Sequence, residues 1–147
     1  MAADLWAYQT HMRSFIFAFL LAISWPVNSQ TWLHVYGRSW HDQSGYREIN
    51  TGIGIEQQFA DRWSWALGTF QNSIDRPSVV GMAKYQWYQQ SDFIVNLQLG
   101  GVTGYRNYPV APFVLPEACW TWICGMFVPR IANETSAAAI VYLRIPL

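Results

Sequence analysis

The chain predicts an all-β fold, an eight-stranded antiparallel up-and-down transmembrane β-barrel. Three observations carry this. Apolar and polar residues alternate with period two through successive short segments bounded by turn formers. Short and long connections alternate between those segments, as they do when one rim of a barrel carries turns and the other carries loops. Charged residues make up only 12% of the 147 residues while aromatics reach 17%, with Trp and Tyr at segment ends, the composition of a wall facing something other than water.

The segments follow in order. "TWLHVYGRSW" (31–40) opens the fold, and "HDQSGYR" is the first long loop. In "EINTGIGIEQQF" (48–59), Ile49, Thr51, Ile53 and Ile55 share one face, and Asn50, Gly52, Gly54 and Glu56 share the other. "WSWALGTFQ" (63–71) sets Trp63, Trp65 and Leu67 against Ser64, Ala66 and Gly68. "SVVGMAKYQWY" (78–88) carries the only lysine, Lys84, on the parity of Gln86. "FIVNLQLGGVTGY" (93–105) sets Phe93, Val95, Leu97 and Leu99 against Asn96 and Gln98. "PFVLPEACW" (112–120), "WICGMFVP" (122–129) and "AAAIVYLRIPL" (137–147) complete the eight. A soluble barrel would hide the apolar parity, but the polar parity here is rich in Gly, Asn and Gln and poor in charge, a weak surface for water. Inward glycines at 52, 54 and 68 either leave room for a slim apolar ligand or relieve crowding.

Residues 1–29 read as a secretory signal peptide. "MRSFIFAFLLAISWPVNSQ" has a basic start at Arg13, an apolar run over 15–24 and small residues before Gln30, with Met12 as a second possible start. The run is shorter than the ~20 residues of a membrane-spanning helix. Residues 30–147 then form a single barrel domain, exported to the bacterial outer membrane. Zero net charge argues against nucleic acid as a partner. Cys119 and Cys124 flank "WTWI"; across a hairpin tip they either form a disulfide or pack as free thiols. The two histidines of residues 30–147 lack carboxylates at metal-ligand spacing, so neither a metal nor a cofactor is expected.

The stretch "FQNSIDRPS" (70–78) ends a regular strand on Asn72-Ser73, followed by Asp75 and Arg76. An ordinary turn uses such residues. So would a catalytic rim, with a serine held at the strand end. Of the two histidines, His41 lies ten residues up from Thr31, as Ser73 lies ten up from Trp63, so strands rising from one rim bring both to similar heights. His34 sits seven residues lower, roughly 23 Å at ~3.3 Å per residue. His34 is therefore the alternative histidine, and its shared parity with Arg38 points both into the lumen. Pro109, Pro112, Pro116 and Pro129 cluster around strands six and seven, where missing N–H donors weaken the wall and open a lateral gap.

Three stretches resemble the lipid A palmitoyltransferase family, PagP. "IVYLRIPL" is similar to the family's closing strand around one arginine, here Arg144. "GGVTGYRNYPVAPFVLPEA" resembles its Gly-Val-Thr, Tyr-x-Pro and Leu-Pro stretch, and "YREINTGIGIE" its second strand. The resemblance implies an eight-stranded outer-membrane barrel, a monomer that moves an acyl chain from a phospholipid to lipid A without a cofactor. It implies Ser73 as nucleophile or oxygen-positioning residue and a histidine on or just beyond the first strand as general base; His34 follows Trp32-Leu33 much as the family histidine follows a Trp, whereas height favours His41, with Asn72, Asp75 or Asp42 as the group that orients it. It implies Arg47 and Arg76 as phosphate ligands, with Pro116 and Pro129 at the acyl entry. The family has an aspartate where Asn72 stands, and its N-terminal helix has no counterpart ahead of Thr31. The alternative reading is a non-catalytic outer-membrane barrel that modifies the surface or binds an apolar ligand.

Overall fold

Alternating side chains force every segment to present one apolar and one polar face, and a sheet with two such faces removes its unpaired edges by closing on itself. The computed structural model describes residues 29–105, 108–130 and 136–147. The segment read as a signal peptide lies outside them, apart from its last residue. Eight strands form one closed antiparallel barrel in chain order: β1 (Thr31–His41), β2 (Ile49–Ala60), β3 (Trp63–Gln71), β4 (Pro77–Gln90), β5 (Phe93–Thr103), β6 (Val110–Trp120), β7 (Ile123–Val128) and β8 (Ala138–Pro146). Closure is made by β1 and β8, paired from Trp32↔Pro146 to His41↔Ala138. Two-residue turns join β2 to β3, β4 to β5 and β6 to β7 on one rim, and the longer connections lie on the other.

The apolar parity faces outward. Ile53, Trp65, Leu67, Leu99, Val114 and Phe127 are all exposed, and Trp63, Trp87, Trp120 and Trp122 gather at the turn rim. The polar parity faces the lumen. One expectation is corrected here. Register slips between Tyr36 and Arg38 on both neighbours of β1, a bulge centred on Gly37. A bulge adds one residue and reverses parity beyond it. Arg38 therefore points out and pairs with Glu48 at 2.6 Å, whereas Ser39 and His41 join His34 on the lumen side.

The lumen has two tiers. The tier nearer the turn rim is ionic and sealed. Glu56 accepts from His34 Nε2 (2.8 Å), Ser64 Oγ (2.7 Å), Lys84 Nζ (2.8 Å) and the Arg144 guanidinium (2.8 and 3.0 Å). Glu117 accepts from Lys84 (2.8 Å), Asn96 (2.7 Å), Gln98 and Tyr142. Two carboxylates meet two permanent cations, which is how a low-dielectric interior tolerates charge. Above this plug the inward residues are mixed: Val80, Met82 and Val102 on one side and Phe113, Met126 and Ile140 on the other are apolar, while Ser39, Asn50 and Ser78 are buried polar groups near the long-loop rim. Met82, Val102, Phe113, Met126 and Ile140 keep partial exposure although they point inward, so this upper tier holds accessible space.

The inward glycines do not supply that space. A Cβ on Gly68 would lie 2.5 Å from the Tyr36 hydroxyl oxygen, one on Gly54 would lie 3.0 Å from the same atom, and one on Gly52 would lie 2.4 Å from Phe70 Cβ. The Tyr36 side chain occupies the space beside Gly54 and Gly68, and the β3 backbone and Phe70 Cβ crowd Gly52, so of the two readings the relief of crowding holds.

Cys119 and Cys124 face each other across the β6–β7 hairpin and form a disulfide, S–S 2.03 Å. It pins a hairpin whose ladder has only four pairs. Replacing both cysteines by alanine should lower the unfolding free energy by ~2 kcal/mol through lost loop constraint. Urea unfolding in detergent micelles measures this, and an unchanged midpoint would contradict it.

Candidate active-site rim

The long-loop rim is built from the ends of β1, β3 and β5. Strand β3 ends where Asn72 folds the chain back. Its Oδ1 accepts the backbone N–H groups of Ile74 (3.0 Å) and Arg76 (2.9 Å), an Asx cap that holds Asp75 in the left-handed region at φ 61°. Its Nδ2 donates to Ser78 Oγ (2.9 Å) and to the Gly104 carbonyl (3.3 Å), tying the turn to the end of β5. Gly104 must be glycine: φ is +92°, and a Cβ would meet Ser78 Oγ at 2.5 Å. Asn72 is wholly buried and fully committed to this turn.

Ser73 follows it, half-buried. Its carbonyl accepts the Arg47 N–H (2.8 Å), and its side chain is hydrogen-bonded to Tyr105, whose phenol is pushed above its usual value chiefly by burial. His41 stacks on Tyr46 at 4.7 Å and 14°. Tyr46 precedes Arg47, so loop 42–48 carries both the ring that packs on His41 and the amide that holds Ser73. The structure thus brings His41 and Ser73 to one rim, linked through loop 42–48. It places no hydrogen bond between them: His41 Nε2 lies 3.0 Å from Ser39 Oγ, and His41 Nδ1 is buried with no partner among the described residues.

The other expected residues divide. The Asp75 carboxylate takes a hydrogen bond from Gln71 (3.0 Å) and pairs with Arg47 (2.6 Å), which together hold it below the usual carboxylate range. Asp42 is likewise lowered, first by the Ser136 hydroxyl (2.7 Å) and then by Arg130 (2.5 Å); it fastens the β7–β8 connection to β1. Neither carboxylate, nor Asn72, orients His41 in this structure. Arg47 spends its guanidinium on Asp75 and on the Ile49 carbonyl. The exposed Arg76 guanidinium has no ion-pair partner among the described residues. His34 lies deep in the ionic plug, bonded to Glu56.

The wall beside this rim is incomplete. The β6–β7 ladder starts at Trp120↔Ile123 and stops at Glu117↔Met126, one residue before Pro116, while β5 and β6 stay paired up to Thr103↔Val110. Residues 110–116 of β6 therefore have no partner on β7. Pro129 directly follows the last residue of β7, Val128. Among the described residues, Pro116 and Pro129 flank the stretch where the β6–β7 ladder is absent.

A separate cavity of about 530 Å³ opens at the turn rim, lined by Trp32, Asp61, Arg62 and Asp92 and floored by Glu56 and Arg144. The Arg144 guanidinium stacks 3.7 Å over the Trp32 ring there. The ionic plug separates this vestibule from the apolar tier. Glu117, Cys119 and Cys124 are close enough together to suggest a metal cluster, but both sulfurs are committed to the disulfide.

Sequence reasoning missed Ser39, Asn50, Tyr46 and Tyr105. The signal for Ser39 was hidden by the Gly37 bulge, since strict alternation from His34 sends residue 39 outward. Comparison with known proteins adds no identity: no family model and no curated protein matches the chain. The class defined by fold and site is a closed eight-stranded antiparallel barrel with an apolar upper lumen beneath a serine–histidine rim.

Proposed function

We propose that this chain is an outer-membrane barrel that draws an acyl chain from a phospholipid into its upper lumen and transfers it to lipid A. The observation that carries the reading is the two-tier lumen. A partly exposed, largely apolar tier lies between the rim that carries Ser73 and His41 and a buried ionic floor, and among the described residues β6 has no ladder partner on β7 over 110–116, where we place the entry. A catalyst of acyl transfer between lipids needs those three parts: a dry slot for the chain, a stop, and an entry from the membrane plane. The outward apolar face with Trp at its turn end supports a barrel seated in a bilayer.

In the transfer, Ser73 Oγ attacks the ester carbonyl of the phospholipid as His41 takes the hydroxyl proton. The lysophospholipid leaves as an alcohol carrying that proton. A lipid A hydroxyl then attacks the seryl ester, giving its proton to His41, which returns it to the departing Ser73 oxygen. Arg76, at the rim and without an ion-pair partner among the described residues, meets a lipid phosphate.

The test is mass spectrometry of lipid A from cells producing this chain, beside cells producing Ser73→Ala. The expected result is one added acyl chain that disappears in the variant. A second reading, a non-catalytic barrel, is favoured by one observation: the Ser73 side chain is bonded to Tyr105 and His41 to Ser39. Unmodified lipid A in cells with folded protein in the outer membrane would select that reading.

A further inference from the structure

His41, Ser39 and Asn50 form a chain in which each hydrogen can be assigned by elimination. Asn50 lies 3.1 Å from the Gln71 carbonyl oxygen, and only its amide nitrogen can donate there. Its Oδ1 therefore faces Ser39, at 2.5 Å. Two oxygens that close share a hydrogen, and Asn50 Oδ1 has none, so the Ser39 hydroxyl donates. Ser39 owns a single hydrogen. The contact between Ser39 Oγ and His41 Nε2, 3.0 Å, must then use a hydrogen from the imidazole. Nε2 carries the proton, and Nδ1 is left with a bare lone pair. Protonating Nδ1 as well would bury an N–H with no acceptor among the described residues. The neutral ring is thus the Nε2–H tautomer.

We infer that Ser39 and Asn50 are positioning residues that fix His41 as the Nε2–H tautomer and so present Nδ1 as the proton-accepting nitrogen of the rim. The Tyr46 stack holds the ring plane, and the Gln71 carbonyl at the end of β3 sets the direction of the whole relay. The relay does the orienting that a carboxylate does in a serine–histidine–acid triad, using neutral groups only. It explains how the rim dispenses with an acid beside Ser73. The catalytic consequence rests on the acyl-transfer reading; the tautomer does not.

The experiment is nitrogen NMR of protein labelled with ¹⁵N-histidine in detergent micelles, with the His41 signals assigned by their loss in His41→Asn. The expected wild-type spectrum shows a protonated Nε2 and a bare Nδ1. Ser39→Ala and Asn50→Leu should each shift His41 toward the opposite tautomer or a mixture. A wild-type proton on Nδ1, or an unchanged tautomer in both variants, overturns the inference. Acyl-transfer assays form the second arm: Ser39→Ala should lower kcat at least ~10-fold with KM little changed. Unchanged kcat with a shifted tautomer would overturn the catalytic part. Absence of transfer by the wild type would sink the acyl-transfer reading while the spectra still judged the relay.

Discussion

Lys84→Met should cost ~3–5 kcal/mol of unfolding free energy, the usual result of removing one partner from a buried ion pair. Lys84 is the only lysine in the chain, and its side chain is about 1% exposed. It bridges Glu56 and Glu117, each at 2.8 Å. Without it, Glu56 keeps His34, Ser64 and Arg144, but Glu117 is left with the neutral donors Asn96, Gln98 and Tyr142. One buried negative charge then lacks a cation. Methionine keeps the volume and the unbranched stem, so the loss reports charge rather than packing. Urea titration in detergent micelles measures it. Adding Glu117→Gln to Lys84→Met should recover much of the loss, because the stranded charge disappears. A loss below ~1 kcal/mol for the single variant would mean that the plug is hydrated and its pairs are worth no more than surface ones.

Much of this plug was legible as pattern and none of it as contact. Period two put Glu56 and Lys84 on the polar parity, and the structure keeps both there. What pattern could not tell is that strands two, four, six and eight bring four charges together, because that depends on how closure staggers the strands. The strand read over 63–71 matches β3 at both ends, since Trp63 and Gln71 lie beside a tight turn and an Asx cap. The strand read over 122–129 is shorter in the structure, Ile123–Val128, because Trp122 belongs to the β6–β7 turn and pairing with β8 stops at Val128↔Ala138, just before Pro129.

The rim was less readable. Height put His41 and Ser73 at one rim, where β1 and β3 end, while parity misled, because a single extra residue at Gly37 reverses every side chain beyond it. Arg38 was expected in the lumen and lies outside. The same bulge delivers Ser39 to His41. A sequence contains no mark of a bulge beyond a glycine inside a strand, and this chain has several such glycines that are simply crowded by a neighbouring strand's backbone or side chains.

On the acyl-transfer reading, Phe113→Asp should weaken acyl-chain capture at least ~10-fold while leaving the barrel folded. Phe113 points into the upper tier, on the stretch of β6 that lacks a β7 partner, and it is only half-buried. An aspartate there can stay solvated in the free protein, so its cost to stability should be small, below ~1–2 kcal/mol. The cost to binding is different. Each methylene withdrawn from water contributes about 0.8 kcal/mol, so a long chain gains its affinity from a continuous apolar lining. A carboxylate in that lining must either be stripped of water by the incoming chain or keep its water and shorten the slot. Either loss should weaken binding of a fluorescent long-chain fatty acyl probe by at least ~10-fold, about 1.4 kcal/mol. Phe113→Leu, which keeps the lining apolar, should bind within a few-fold of the wild type. Lipid A acylation in cells should follow the same order. Equal binding by all three proteins would place the acyl chain elsewhere, and a folded Phe113→Asp variant that still acylates lipid A would remove the upper tier from the mechanism.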